Sequence, residues 1–291
     1  MVRRRPLIGY ALGGGAGRGW AHIGALRALE RAEIRPDIVC GTSIGALVGG
    51  VHLAGYRDEL ENWARSLNKG RILRYLDPGL SGGGLIGGRR LERLLKDYLA
   101  GTRIEDLPVP FRTVTTELNT GHEIWLKEGP LIEAMQASYA LPGVLPPIQV
   151  DERWLVDGAL VNPVPVSVCR AMGARLVIAI NLNADQIGRV QETAETDYAD
   201  LEGRSGILDW MLGKRDGPSV IEVMATSLNI LQDRLSRSRL AGDPPDVTIA
   251  PRVGHIGLLE FDRAEEAIQE GEEAVARSLP FLQEALKILG Y

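Results

Sequence analysis

From Ile38 to Tyr56 the chain carries no Asp, Glu, Lys or Arg. A charge-free run of that length fits either a helix crossing a bilayer or a strand and helix buried in a protein core. Gly41, Gly45 and Gly49 repeat at the spacing of membrane helix dimers. The segment nevertheless holds five glycines together with Thr42, Ser43 and His52, an apolar content too low for hydrocarbon. The reading that fits is a short strand at Asp37 to Cys40, a tight turn, and a helix from Ser43 to Ala54 whose Gly and Ala positions let it lie close to a sheet.

The same rhythm recurs along the chain. Pro6 to Leu12 reads as an apolar strand, a glycine run follows, and Ile23, Leu26 and Leu29 then mark one face of a helix. Amphipathic helices are expected over Arg57 to Leu67 and Arg89 to Leu99, and two strands over residues 109 to 127 around the turn Asn119-Thr120-Gly121. Leu176 to Leu182 is apolar almost throughout, as suits a strand covered on both faces, and Asp246 to Ala250 resembles a last strand. Ala264, Ala267, Ile268, Gly271, Ala274, Val275 and Leu279 form one helical face, which Pro280 is expected to bend or restart. Alternating strands and helices predict an α/β fold of three layers, αβα, with a mainly parallel central sheet.

Composition narrows the function. A length of 291 residues admits one or two domains, and a single domain over 1–291 is the favoured reading. Residues 184–218 interrupt the alternation of strands and helices. They are polar and acidic up to Gly203 and then present Ile207, Leu208, Trp210, Met211 and Leu212, so they read as a mobile insertion. A net charge of −5 leaves no basic face for nucleic acid. Cys40 and Cys169 sit in apolar surroundings far apart in sequence, as free buried thiols of a reducing cytoplasm do. Met1 to Arg5 resembles the start of a signal peptide, but the apolar part runs straight into glycines with no cleavage segment. Clustered Cys/His pairs and calcium-loop patterns are both missing, so neither a metal nor another cofactor is expected.

Gly41-Thr42-Ser43-Ile44-Gly45 matches G-x-S-x-G, the pattern of a serine lifted clear of the backbone on a strand-to-helix turn. The pattern is weak by itself, since Gly79-Leu80-Ser81-Gly82-Gly83 matches as well. Ser43 follows a strand and opens a helix, whereas Ser81 lies in a Pro/Gly loop, so Ser43 is the candidate nucleophile rather than a mere helix cap. Attack on a carbonyl needs donors for the oxyanion. The loop Gly13-Gly14-Gly15-Ala16-Gly17-Arg18-Gly19 can supply backbone N–H groups, and a parallel sheet would set it beside Ser43. A dinucleotide fingerprint fails in every register, and a Walker loop fails because Gly19 is followed by Trp20. Among His22, His52, His122 and His255, none stands in a context that marks a base. Asp157 ends the strand-like Trp154-Leu155-Val156 and precedes Gly158, placing a carboxylate at a strand terminus. An ordinary Asp-Gly turn is the plainer alternative.

Leu12 to Gly24, the Gly-Thr-Ser-Ile-Gly elbow and Asp157-Gly158-Ala159, in that order, resemble the three motifs of the bacterial patatin-like phospholipases. Glu117-Leu118-Asn119-Thr120-Gly121, Ala137 to Gly143 and Asn162 to Pro165 extend the resemblance over residues 7 to about 182. It implies a serine lipid acyl hydrolase acting through an acyl-enzyme: Ser43 as nucleophile, Asp157 as general base, and Gly14, Gly15, Ala16, Gly17, Arg18 and Gly19 as the oxyanion loop, with Arg18 steadying that loop or facing a lipid phosphate. The substrate class would be a phospholipid or other fatty acyl ester, met through transient contact with a membrane surface, for which Ile207 to Leu212 is one candidate and a packed helix the plainer reading. One departure is Ala16, where the family loop commonly has glycine; a positive φ there would be strained. Two rivals remain at this stage, an α/β-hydrolase with the triad Ser43, Asp157, His255 and a non-catalytic lipid-binding protein.

Overall fold

The computed structural model describes residues 5–68, 89–184 and 220–291. Ser81, the Ile207 to Leu212 segment and all of the expected insertion beyond Ala184 lie outside these residues. Among the described residues an eight-stranded sheet forms the centre. Its strands are β1 (Ile8–Leu12), β2 (Ile38–Thr42), β3 (Phe111–Glu117), β4 (Glu123–Leu126), β5 (Ile148–Val150), β6 (Arg153–Asp157), β7 (Leu176–Ile180) and β8 (Val247–Ile249). The helices are α1 (Ala21–Arg31), α2 (Ile44–Leu53), α3 (Arg57–Arg65), α4 (Arg89–Leu99), α5 (Leu131–Tyr139), α6 (Val166–Ala171), α7 (Val220–Gly242) and α8 (Ala264–Leu289).

The order runs β5-β6-β3-β2-β1-β7-β8, with β4 also paired to β3. Pairings among β3, β2, β1, β7 and β8 are parallel, and those of β4, β5 and β6 antiparallel. Strict alternation divides each central strand between two cores. Ile8, Tyr10, Leu12, Leu176, Ile178 and Ile180 pack with α1, α2 and α8, while Ala11, Val177 and Ala179 meet Val166, Val168 and Cys169 of α6. The sheet is thus flanked by helices on both faces, as the alternation of elements implies.

Register explains why the chain's most unusual residues converge. On β3, Thr113 and Val114 pair with Gly41 and Thr42 of β2, and Thr115 and Thr116 pair with Asp157 and Val156 of β6. All four residues pair with β4 as well. Because β4 occupies one edge of β3 throughout, β2 and β6 must share the other, end to end. One runs parallel to β3 and the other antiparallel, so their carboxyl ends meet between Val114 and Thr115.

The expected charge-free segment folds as a buried strand and helix, and among the described residues no helix is long and apolar enough to cross a membrane. Cys40 and Cys169 are buried and free. α8 runs unbroken through Pro280, so the helix does not restart there. The residue whose carbonyl loses its partner there, Ala276, is exposed, so water can take the place of the missing N–H.

α1 and α8 cross at a pair of glycines. A methyl on Gly24 would stand 1.9 Å from the Ile268 carbonyl oxygen, and one on Gly271 would stand 2.0 Å from that of Ala21. On an exposed helix Gly→Ala stabilises by about 1 kcal/mol. At this crossing the sign reverses: Gly271→Ala is expected to lower the unfolding free energy by about 1–3 kcal/mol. Urea denaturation measures it, and a stabilised variant would mean the helices do not touch there.

Candidate active site

The elbow is built by backbone strain. Ser43 lies between β2 and α2 with φ 56° and ψ −125°, a conformation L-residues rarely adopt. Its N–H donates to Ser138 Oγ at 2.9 Å, and that hydroxyl donates in turn to the Val114 carbonyl at 2.6 Å. Ser138, fully buried on α5, therefore ties the elbow to the point on β3 where β2 ends. The Thr42 hydroxyl donates to the Asn162 carbonyl at 2.9 Å and anchors the residue before it.

Opposite, Asp157 ends β6 with 1% of its surface exposed. One carboxylate oxygen accepts from Ala159 N at 2.8 Å, and the other accepts from Ser43 Oγ at 2.6 Å. Its own backbone is held on both sides, N–H to the Ala140 carbonyl and carbonyl from Thr116 Oγ1. Burial lifts its pKa from the ordinary 3.8 to about 6, against the opposing pull of the hydrogen bonds from Ser43 and Ala159. The group is therefore a carboxylate at neutral pH but a far stronger base than an exposed Asp.

The glycine loop follows β1, leaving the sheet at the edge where β2 also ends. A methyl on Gly14 would sit 3.4 Å from Ser43 Cβ, and one on Gly19 would overlap Ile44, so the loop and its 3₁₀ turn (Ala16–Trp20) pack directly on the elbow. Not all of its N–H groups can serve a ligand. Those of Gly14, Gly17 and Arg18 donate to the carbonyls of Pro163, Leu258 and Gly15. Among the described residues, the N–H groups of Gly15 and Ala16 have no such acceptor. Ala16 does take the positive φ, 47°.

Arg18 is buried, with Nε donating to the Ile256 carbonyl at 2.7 Å and Nη1 to Asn229 Oδ1 at 3.0 Å. Its guanidinium braces the loop against α7 and the segment after β8. His22, on α1, is also fully buried, and its Nε2 lies 2.7 Å from the Gly13 carbonyl. Desolvation pushes its pKa down to about 4, so the ring is neutral and donates that bond. His255 lies elsewhere, paired through Nε2 with Glu266 of α8 at 2.5 Å. With both Asp157 oxygens engaged by Ser43 and Ala159, the geometry does not assemble the Ser43, Asp157, His255 triad. Among the described residues no three His, Cys, Asp or Glu side chains come together as a metal site.

A family model described as Patatin-like phospholipase matches residues 10–170, a stretch that contains the glycine loop, the elbow and Asp157. The chain belongs to the patatin-like phospholipase family. An uncharacterised NTE family protein of Mycobacterium tuberculosis is 32% identical over 94% of this chain and 91% of its own length. The mouse patatin-like phospholipase domain-containing protein 6 is 33% identical over 79% of this chain but only 17% of its own length. Among solved structures, VipD of Legionella pneumophila is similar in fold, with a TM-score of 0.51 and 10% identity over 95% of this chain and 67% of that one.

A patatin-like site of this geometry carries a cost in stability with a definite pH dependence. Raising the folded pKa of Asp157 means the neutral carboxyl is favoured in the folded state. The favourable contribution is complete below about pH 3.8 and lost as pH rises through about 6. Asp157→Asn is therefore expected to be more stable than wild type by about 2–3 kcal/mol at pH 8, with the difference vanishing near pH 3.5. Thermal unfolding across that range checks it; an equal gain at both pH values would assign the effect to something other than ionisation.

Proposed function

We propose that this chain is a serine lipid acyl hydrolase that cleaves phospholipid or other fatty acyl esters, in the manner of a phospholipase A, lysophospholipase or esterase. Ser43 and Asp157 form its whole nucleophile–base pair. Family membership supports the lipid ester class, as do relatives such as the neuropathy target esterase of Drosophila melanogaster, 32% identical over 79% of this chain. The observation that carries the dyad is the 2.6 Å contact between Ser43 Oγ and an Asp157 carboxylate whose second oxygen is fixed by Ala159 N.

Asp157 accepts the Ser43 proton as Oγ attacks the ester carbonyl. The N–H groups of Gly15 and Ala16 receive the oxyanion. The Asp157 proton passes to the departing alcohol, leaving an acyl-enzyme. Water, deprotonated by the same carboxylate, then attacks it, and Ser43 recovers its proton as the fatty acid leaves. No metal or cofactor enters this sequence. In the reading put forward here, the whole chain works as one domain.

The test is ester turnover with a chelator present, using a short-chain nitrophenyl ester and a phospholipid panel. Ser43→Ala and Asp157→Asn are each expected to lose about 10³-fold or more in kcat, while His255→Ala keeps most of its activity. For wild type, kcat/KM should fall on the acid side of about pH 6 as Asp157 protonates. Full activity in Ser43→Ala, or no cleavage of any ester by wild type, would move the non-catalytic lipid-binding reading to the front.

A further inference from the structure

Helix α7 buries a polar stripe. Among its residues of described burial, the buried ones are Asn229, Gln232 and Ser236, spaced as a single stripe, with Leu240 partly buried against the second core near its end. On the opposite side Val223, Ile230 and Leu231 are 47–61% exposed. α8 shows the ordinary arrangement, burying Ala267, Ile268, Gly271, Ala274 and Val275. An outward apolar face of this kind calls for an apolar neighbour.

Its position says which neighbour. α7 packs on the Gly158–Leu160 turn that follows Asp157. Met224 lies over Gly143, where an added methyl would meet its Cε at 2.3 Å, and Asn229 accepts from Arg18 of the glycine loop. The helix thus touches the elements that hold the candidate site through Met224 and Asn229, and Val223, Ile230 and Leu231 are left on its exposed side.

We propose that the outer face of α7, centred on Ile230 and Leu231, is a lipid-docking surface that seats the protein on an anionic bilayer or micelle with the candidate site at the interface. This rests on the lipid hydrolase reading, because a lipid ester resides in an aggregate and must be drawn from it. Arg234, exposed on the same side of the helix as Ile230, suits the phosphates at such a surface. A second copy of the chain is a poorer occupant, since a stable dimer buries some 20–30 residues a side and this face offers three large apolar side chains.

Flotation with vesicles of phosphatidylcholine containing about 30% phosphatidylglycerol tests it, alongside turnover of a water-soluble nitrophenyl ester and molar mass by light scattering. In the Ile230→Ser/Leu231→Ser variant, vesicle partitioning is expected to drop at least about tenfold. Its soluble-ester kcat/KM and melting temperature should stay close to wild type. The Ile230→Leu/Leu231→Ile variant, which preserves apolarity, should float as wild type does. Undiminished flotation of the serine variant overturns the proposal, and so does a wild-type dimer that the serine variant converts to monomer while neither floats. If wild type floats through Ile230 and Leu231 yet cleaves no ester, docking stands and the hydrolase reading fails by itself.

Discussion

One edge of β3 is shared end to end by β2 and β6, and the site depends on that sharing. A strand parallel to β3 and a strand antiparallel to it on the same edge meet at either their amino or their carboxyl ends, and here the carboxyl ends converge. At that junction the hydrogen-bonding ladder must change hands, and Ser43 and Asp157 stand on its two sides. Ser138 closes the gap by bonding both the Ser43 N–H and the Val114 carbonyl. Ladder geometry, rather than any single long-range contact, brings together two residues separated by more than a hundred positions.

The same junction is where the fold accepts unfavourable local terms. Ser43 holds a strained backbone, Ala16 a positive φ, and Asp157 is desolvated so far that its pKa climbs to about 6. Each is held by well-packed surroundings: Gly19 against Ile44, Arg18 on Ile256 and Asn229, neutral His22 on the Gly13 carbonyl. Strain and burial of this sort fit a pre-organised nucleophile and base better than they fit a passive scaffold.

Much of this was legible in the residues. The elbow could be read because a strand, two glycines flanking a serine and an apolar helix occur in sequence, and Asp157 because it ends a strand beside Gly158. The parallel centre followed from alternating elements. Less legible was which loop N–H groups are already committed, since Gly14 and Gly17 donate to Pro163 and Leu258, partners that only the tertiary fold supplies. Ser138 lies in the Ala137 to Gly143 stretch that extends the family resemblance, but its role was not legible, because it consists in bridging two other elements. α7 escaped for a different reason: helical periodicity is sought as an apolar core stripe, and its buried stripe is Asn229, Gln232 and Ser236.

The central claim is that Asp157 alone activates Ser43. Reaction with a fluorophosphonate ester tests it without any choice of lipid, because Ser43 Oγ displaces fluoride at phosphorus while its proton passes to Asp157. Mass spectrometry of the peptide holding Ser43, with the labelling rate followed from pH 4 to 9, is the measurement. The account predicts one adduct, on Ser43, forming at a rate that falls below about pH 6 and nearly disappears in Asp157→Asn. An adduct on another residue, or an Asp157→Asn variant labelled as fast as wild type, would contradict it.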